Sequence, residues 1–118
     1  MTVDLGMTLR EKQSLFVELV GKLIARAYAT GYEMTFGETY RTPEQAAANA
    51  KAGKGIARSL HCVRLAADFN LFRDGVWLRD TEDFADLGAF WERLHPDCRW
   101  GGRFNDGNHF SLTHDGRA

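Results

Sequence analysis

The stretch RSLHCVRLAADFN, residues 58–70, places His61 and Asp68 seven positions apart across a run that reads as a buried β-strand. Side chains alternate faces along a strand, so the two would point to opposite sides if the whole span were extended. They can share one site only if His61 sits in a loop or bulge before the strand. A carboxylate flanked by Ala67 and Phe69 is costly to bury unless a cation or hydrogen-bond donors compensate it. The spacing and the burial together ask for a third partner elsewhere in the chain.

Working outward, the strand after Leu60 presents Val63, Leu65, Ala67, Phe69 and Leu71 on one face, and Asp74-Gly75 predicts a hairpin into Val76, Trp77 and Leu78. Upstream, Leu9, Leu15, Phe16, Leu19, Val20, Leu23, Ile24, Ala27 and Tyr28 follow helical spacing between Thr8 and Thr30. Thr8 with Glu11 forms a capping box, and Gly31 stands at a left-handed C-terminal cap. Met34 and Phe36 alternate in a short strand. Thr42, Pro43 and Gln45 then open a second helix that runs to Gly53, with Gln45 placed to complete a second box. Phe84, Leu87, Trp91 and Leu94 form the stripe of a third helix ending before Pro96. The glycine-rich tail gives way to a last strand at His109, where Phe110 and Leu112 alternate with polar neighbours. The expected fold is α+β, a small antiparallel sheet packed with about three helices.

With 118 residues, 44% of them hydrophobic, the chain is expected to form one domain spanning residues 1–118. Fifteen Lys and Arg against sixteen Asp and Glu leave a net charge of -1, which argues against a nucleic-acid footprint or an anionic membrane surface as partner. The N-terminus has no apolar core of signal-peptide length and no stretch approaches a transmembrane span, so synthesis in the cytoplasm and no stable membrane insertion are expected. A monomer is expected. Cys62 and Cys98 are too few and too far apart for a disulfide framework or a CxxC knuckle and read as packing thiols.

His61, Asp68 and His109 make a two-histidine, one-carboxylate set that leaves an open metal position for water or substrate, the stoichiometry of a catalytic site. Asp106 lies three residues before His109 and is the candidate general base, because a metal lowers the pKa of bound water only to about 7 and the proton must still be carried to the leaving amine. Gly107 lets the chain turn tightly enough to bring both side chains to one centre. Spacing alone leaves isolated core or surface histidines as an equal alternative, and the ligand types also suit an iron oxygenase, though this chain has few strands for a jelly roll. Trp77, Trp91 and the remaining phenylalanines are expected in the core, and His95 at a helix end needs no catalytic role.

YRTPEQ, SLHCVRLAAD and WGGRFNDGNHF together, in this order along the chain, resemble the zinc D,D-peptidase and L-alanyl-D-glutamate peptidase family, which includes phage endolysins and vancomycin-resistance carboxypeptidases and is related in fold to the hedgehog domain. The resemblance implies Zn2+ held by His61, Asp68 and His109, with Asp106 as general base. It also implies Arg41 polarising the scissile carbonyl, Gln45, Ser59 and Tyr40 contacting substrate, and Trp100 with its two glycines walling the site. The implied partner is the stem peptide of bacterial peptidoglycan, cut at the L-Ala-D-Glu bond by a phage-endolysin-like enzyme that acts on the cell wall after release. A D-Ala-D-Ala carboxypeptidase and a non-catalytic zinc-binding module of the same fold are the alternatives. The chain departs from the family at Arg64, where glycine is common, so a large cation there must reach solvent or pair with an acid.

Overall fold

A computed structural model describes residues 6–56 and 58–117. The chain folds in the order α1 (Leu9–Ala29), β1 (Glu33–Phe36), α2 (Pro43–Lys51), a 3-10 turn (Leu60–Val63), β2 (Ala66–Arg73) and β3 (Val76–Leu78). A second 3-10 turn (Thr81–Phe84), α3 (Ala85–Leu94), β4 (Cys98–Trp100), a third 3-10 turn (Gly101–Phe104) and β5 (His109–Leu112) complete it. This is the α+β arrangement that the sequence predicts. The sheet is antiparallel throughout, in the order β1-β2-β5-β4, with β3 also paired to β2.

Local chemistry sets the helix ends. Thr8 and Glu11 form the reciprocal box at the start of α1, satisfying two amides that the first turn leaves free, and Gly31 follows the C-cap with φ +91°. In α2, Thr42 accepts from the Gln45 amide, but the Gln45 side chain donates to Asn49 instead of returning to the cap. The second box is therefore only half built. Asp74 and Gly75, both at positive φ, turn β2 into β3 as expected of an Asp-Gly hairpin.

One face of the sheet is covered by α1 and α3. Phe16, Leu19, Leu23 and Ala27 meet Phe84, Leu87 and Trp91 over Phe69, Leu71, Phe110 and Leu112 in one buried cluster. The Trp91 indole nitrogen donates to the carbonyls of Arg99 and Ser111, tying α3 to both strands of the β4–β5 pair. Strand alternation then sends Ala66, Asp68, Arg99, His109 and Ser111 to the opposite face, the face that carries the site. The prediction of core aromatics holds for Trp91 but not for Trp77, 53% exposed beside Arg79, nor for Phe36 and Phe104, which are 66% and 74% exposed. β1 lies at the sheet edge, where the Phe36 ring leans on that of Phe69. Among the described residues no helix is long and apolar enough to cross a membrane.

Candidate metal centre and active site

His61 does not belong to the strand. It sits in the 3-10 turn Leu60–Val63, capped by the Ser59 hydroxyl, which accepts from the His61 amide at 3.1 Å. Arg64 closes that turn in the left-handed region at φ +57°, and β2 starts only at Ala66. The turn breaks the alternation that would have sent His61 and Asp68 to opposite faces. Arg64 thus occupies a conformation that favours glycine, and its exposed guanidinium lies 4.1 Å over the Tyr40 ring, with no acid paired to it among the described residues.

Asp68 is set by β2 and His109 by β5, and the two are direct partners in the register. Asp68 Oδ1 lies 3.0 Å from His109 Nδ1 and 3.3 Å from His61 Nε2. One ligand atom from each of the three residues falls within 4.8 Å of the others. His61 is buried and His109 and Asp68 are half-buried, so the ligands are fixed while one side stays open. Burial opposes ionisation of Asp68, but the hydrogen bonds and charge of His109 and His61 outweigh it and hold the carboxyl at about 2. Two imidazoles and an ionised carboxylate converging from a rigid sheet and a capped turn fit a divalent metal of the zinc type.

The centre opens into a cleft of about 690 Å³. Asp106 lines it on the loop between the third 3-10 turn and β5. Its amide donates to Gly101 O at 3.0 Å and its carbonyl accepts from His109 N at 3.1 Å, so the carboxylate is tethered to the ligand strand. Asp106 is open to solvent, yet desolvation by the cleft walls and the nearby Asp68 charge raise its carboxyl above its ordinary value against the pull of His109, His61 and Arg41. A Cβ at Gly101 would overlap the Asp106 carbonyl, which is why the backbone here must be glycine. Trp100 lines the cleft, with its indole nitrogen donating to Gly107 O at 2.7 Å.

Arg41 and Ser59 also line the cleft, and Arg41 donates to Ser59 Oγ at 3.3 Å. Tyr40 and Gln45 do not line it: Tyr40 holds Arg64, and Gln45 bonds Asn49 on the exposed face of α2. Glu38, which no sequence motif marked, receives two donors of Arg41 on Oε1 and stands 3.8 Å from His61 Nε2. It reaches the centre because the Asp68 amide donates to its carbonyl at 2.8 Å. Its hydrogen bond raises the Arg41 pKa further, so that cation stays charged. Cys62 and Cys98 are both free thiols. Burial, reinforced by Asp97, pushes Cys98 up to about 12, which makes it a packing residue and no nucleophile.

No curated protein matches the chain significantly in sequence. Among solved structures, the L-Ala D-Glu endopeptidase ChiX of Serratia marcescens is similar with a TM-score of 0.72 and 21% identity, covering 96% of this chain and 89% of that one. A mutant of the vancomycin resistance D,D-pentapeptidase VanY from a VanB-type resistance cassette, solved in complex with Zn(II), is similar with a TM-score of 0.55 and 18% identity over 84% of this chain and 71% of that one. At these identities the likeness shows a shared fold. A family model described as D-alanyl-D-alanine carboxypeptidase matches residues 52–112, a span that contains His61, Asp68, Asp106 and His109 and leaves out Arg41. That span is just over half the chain, and the chain belongs to this family of metallopeptidases.

Proposed function

We propose that the protein is a zinc peptidase that hydrolyses the stem peptide of bacterial peptidoglycan, with the L-Ala-D-Glu bond as its target. The observation that carries the reading is the joint placement of Asp106 and Arg41 on one cleft with the three-ligand centre. A module that only bound zinc would need neither. The endopeptidase fold of ChiX, matched over nearly the whole chain, favours the internal bond over the carboxypeptidase activity named by the family description.

His61, Asp68 and His109 would hold the zinc, which when bound would supply Lewis acidity and lower the pKa of a bound water to about 7. Asp106 takes the proton of the attacking water on its carboxylate, and its raised pKa suits it to pass that proton on to the leaving amine nitrogen. Arg41 carries five N–H donors, of which three are directed at Glu38 and Ser59. Two remain to stabilise the oxygen that gains charge when the amide carbonyl becomes tetrahedral. Glu38 keeps the guanidinium oriented, so little reorganisation is needed at the moment of reaction.

Purified peptidoglycan digested with the zinc-loaded protein and analysed by mass spectrometry tests this directly. Fragments with a new D-Glu N-terminus are expected. Release of free D-Ala would move the activity to the carboxypeptidase bond, and an undigested wall would overturn the peptidase reading.

A further inference from the structure

Although the chain as a whole carries a charge of -1, its cleft is lined by Arg41, Lys54, Arg58, Arg99, Arg103 and Arg117. Among the described residues that line it, the only carboxylates are Asp68 and Asp106, both committed to the centre. Arg41 is ion-paired with Glu38, and Arg103 lies 3.6 Å from Glu92. The cationic excess therefore gathers at the end where β5 runs on towards Arg117.

At that end a buried donor lies ready. Ser111 follows His109 by two residues, so it points to the same face one pleat along, about 7 Å away. It is fully buried and lines the cleft, yet its hydroxyl has no hydrogen-bond partner among the described residues, and neither has the buried Arg117 Nε. Buried polar atoms are rarely left unmatched, because each forfeits its hydration. Arg99 is the register partner of Ser111 on β4 and is pinned by the carbonyls of Pro96 and Cys98, each at 2.8 Å. Arg117 is pinned by its backbone pairing with His114 across a tight turn and by Arg58 O. Two guanidinium groups held by backbone carbonyls and a spare hydroxyl make a preorganised set of donors for a planar anion.

We infer that Ser111, Arg99 and Arg117 form a carboxylate-binding subsite beside the metal centre, which anchors an acidic peptide across the catalytic residues. The inference rests on the peptidase reading for the identity of the ligand as a peptide, but the binding chemistry stands apart from catalysis. A carboxylate reaching this subsite belongs either to the C-terminus of the peptide or to an acidic residue within it.

Calorimetric titration of the metal-free protein at physiological ionic strength separates these sources and is blind to whether the enzyme turns over. Three N-acetylated peptides serve as probes: Ala-D-Gln-Lys with a free C-terminus, Ala-D-Glu-Lys amide, and Ala-D-Gln-Lys amide with no carboxylate. At least one carboxylate peptide is expected to bind about tenfold or more tighter than the neutral one, the scale of a charge-assisted hydrogen bond. Preference for the free C-terminus assigns a chain-end carboxylate, and preference for the glutamate assigns an internal one. Arg117→Gln is expected to bring that preference to within about twofold, and Ser111→Ala, which removes only a hydroxyl, to lower it several-fold. Lys54→Gln, which removes a rim cation, is expected to keep it. Equal affinity for all three peptides overturns the subsite, as does full preference in both variants or an equal loss in Lys54→Gln, which would mark a diffuse field. Failure of wall digestion with the preference intact would overturn the peptidase reading alone.

Discussion

Asp68 and His109 face each other across β2 and β5 with Oδ1 3.0 Å from Nδ1, and His61 closes on the same oxygen from a capped turn outside the sheet. The sheet register fixes two of the candidate ligands and the turn fixes the third, so the cluster is in place without a metal. Replacing His109 with Ala is expected to abolish stoichiometric zinc binding while leaving the far-ultraviolet circular dichroism unchanged, because the buried cluster that supports the fold lies on the other face. Loss of the fold along with the metal would show that zinc is structural.

Metal-free protein should carry a pH signature of the same carboxylate. The folded pKa of Asp68, about 2, lies below its ordinary value near 3.8. Its stabilisation is therefore fully present above about pH 4 and is lost as pH falls through about 2. Unfolding free energies of native protein and Asp68→Asn, from denaturant titrations, are expected to diverge above pH 4, by on the order of 2 kcal/mol, and to converge near pH 2. Parallel curves across that range would contradict the pairing.

Asp106 carries the opposite sign. Its folded pKa is raised, so ionising it works against the fold once pH exceeds its unfolded value. Asp106→Asn is expected to stabilise the metal-free protein at pH 7 and not at pH 3, to keep zinc, and to lose on the order of a hundredfold or more in kcat. Such a trade of stability for activity is common at catalytic groups. Release of zinc by this variant would make Asp106 a ligand and overturn its assignment as base.

Most of the centre was legible because its logic is one of parity and register. The odd spacing of His61 and Asp68 required His61 to leave the strand, and the 3-10 turn at Leu60–Val63 is how it does so. β4 escaped because Cys98, Arg99 and Trp100 form a strand of three residues that runs straight into two glycines, too short for alternation to register. Glu38 escaped because nothing local binds it to a motif; only the long-range hydrogen bond from the Asp68 amide brings it in. Ser111 is one of the polar neighbours that alternate with Phe110 and Leu112, and alternation alone does not tell that its face is buried against the cleft.

Arg64 shows what a substitution at a glycine-favouring turn costs. Arg64→Gly is expected to change stability by less than about 1 kcal/mol, since relief at φ +57° offsets the lost contact with Tyr40. A β-branched side chain tolerates that region worst, so Arg64→Val is expected to cost about 1–2 kcal/mol relative to Gly and to weaken zinc binding by displacing His61. Thermal melts and zinc affinities of the two variants check both expectations, and equal behaviour would show that the turn is not strained.

Gly101 ties the loop that carries Asp106 to the strand that begins at His109. A methyl there would overlap the Asp106 carbonyl and press to 3.0 Å from the His109 Cβ, with backbone that cannot swing aside. Gly101→Ala is expected to lower kcat by more than tenfold through displacement of Asp106, a loss of positioning that small shifts can produce. Activity within twofold of native would mean that the loop carries no positional demand.

Anomalous scattering at the zinc edge, from crystals of the protein grown with one equivalent of zinc, tests the central claim most directly. A single peak is predicted within bonding distance of His61 Nε2, Asp68 Oδ1 and His109 Nδ1, with Asp106 and Glu38 outside it. A peak that takes Glu38 or Asp106 in place of Asp68, or no peak at this cluster, would contradict the account.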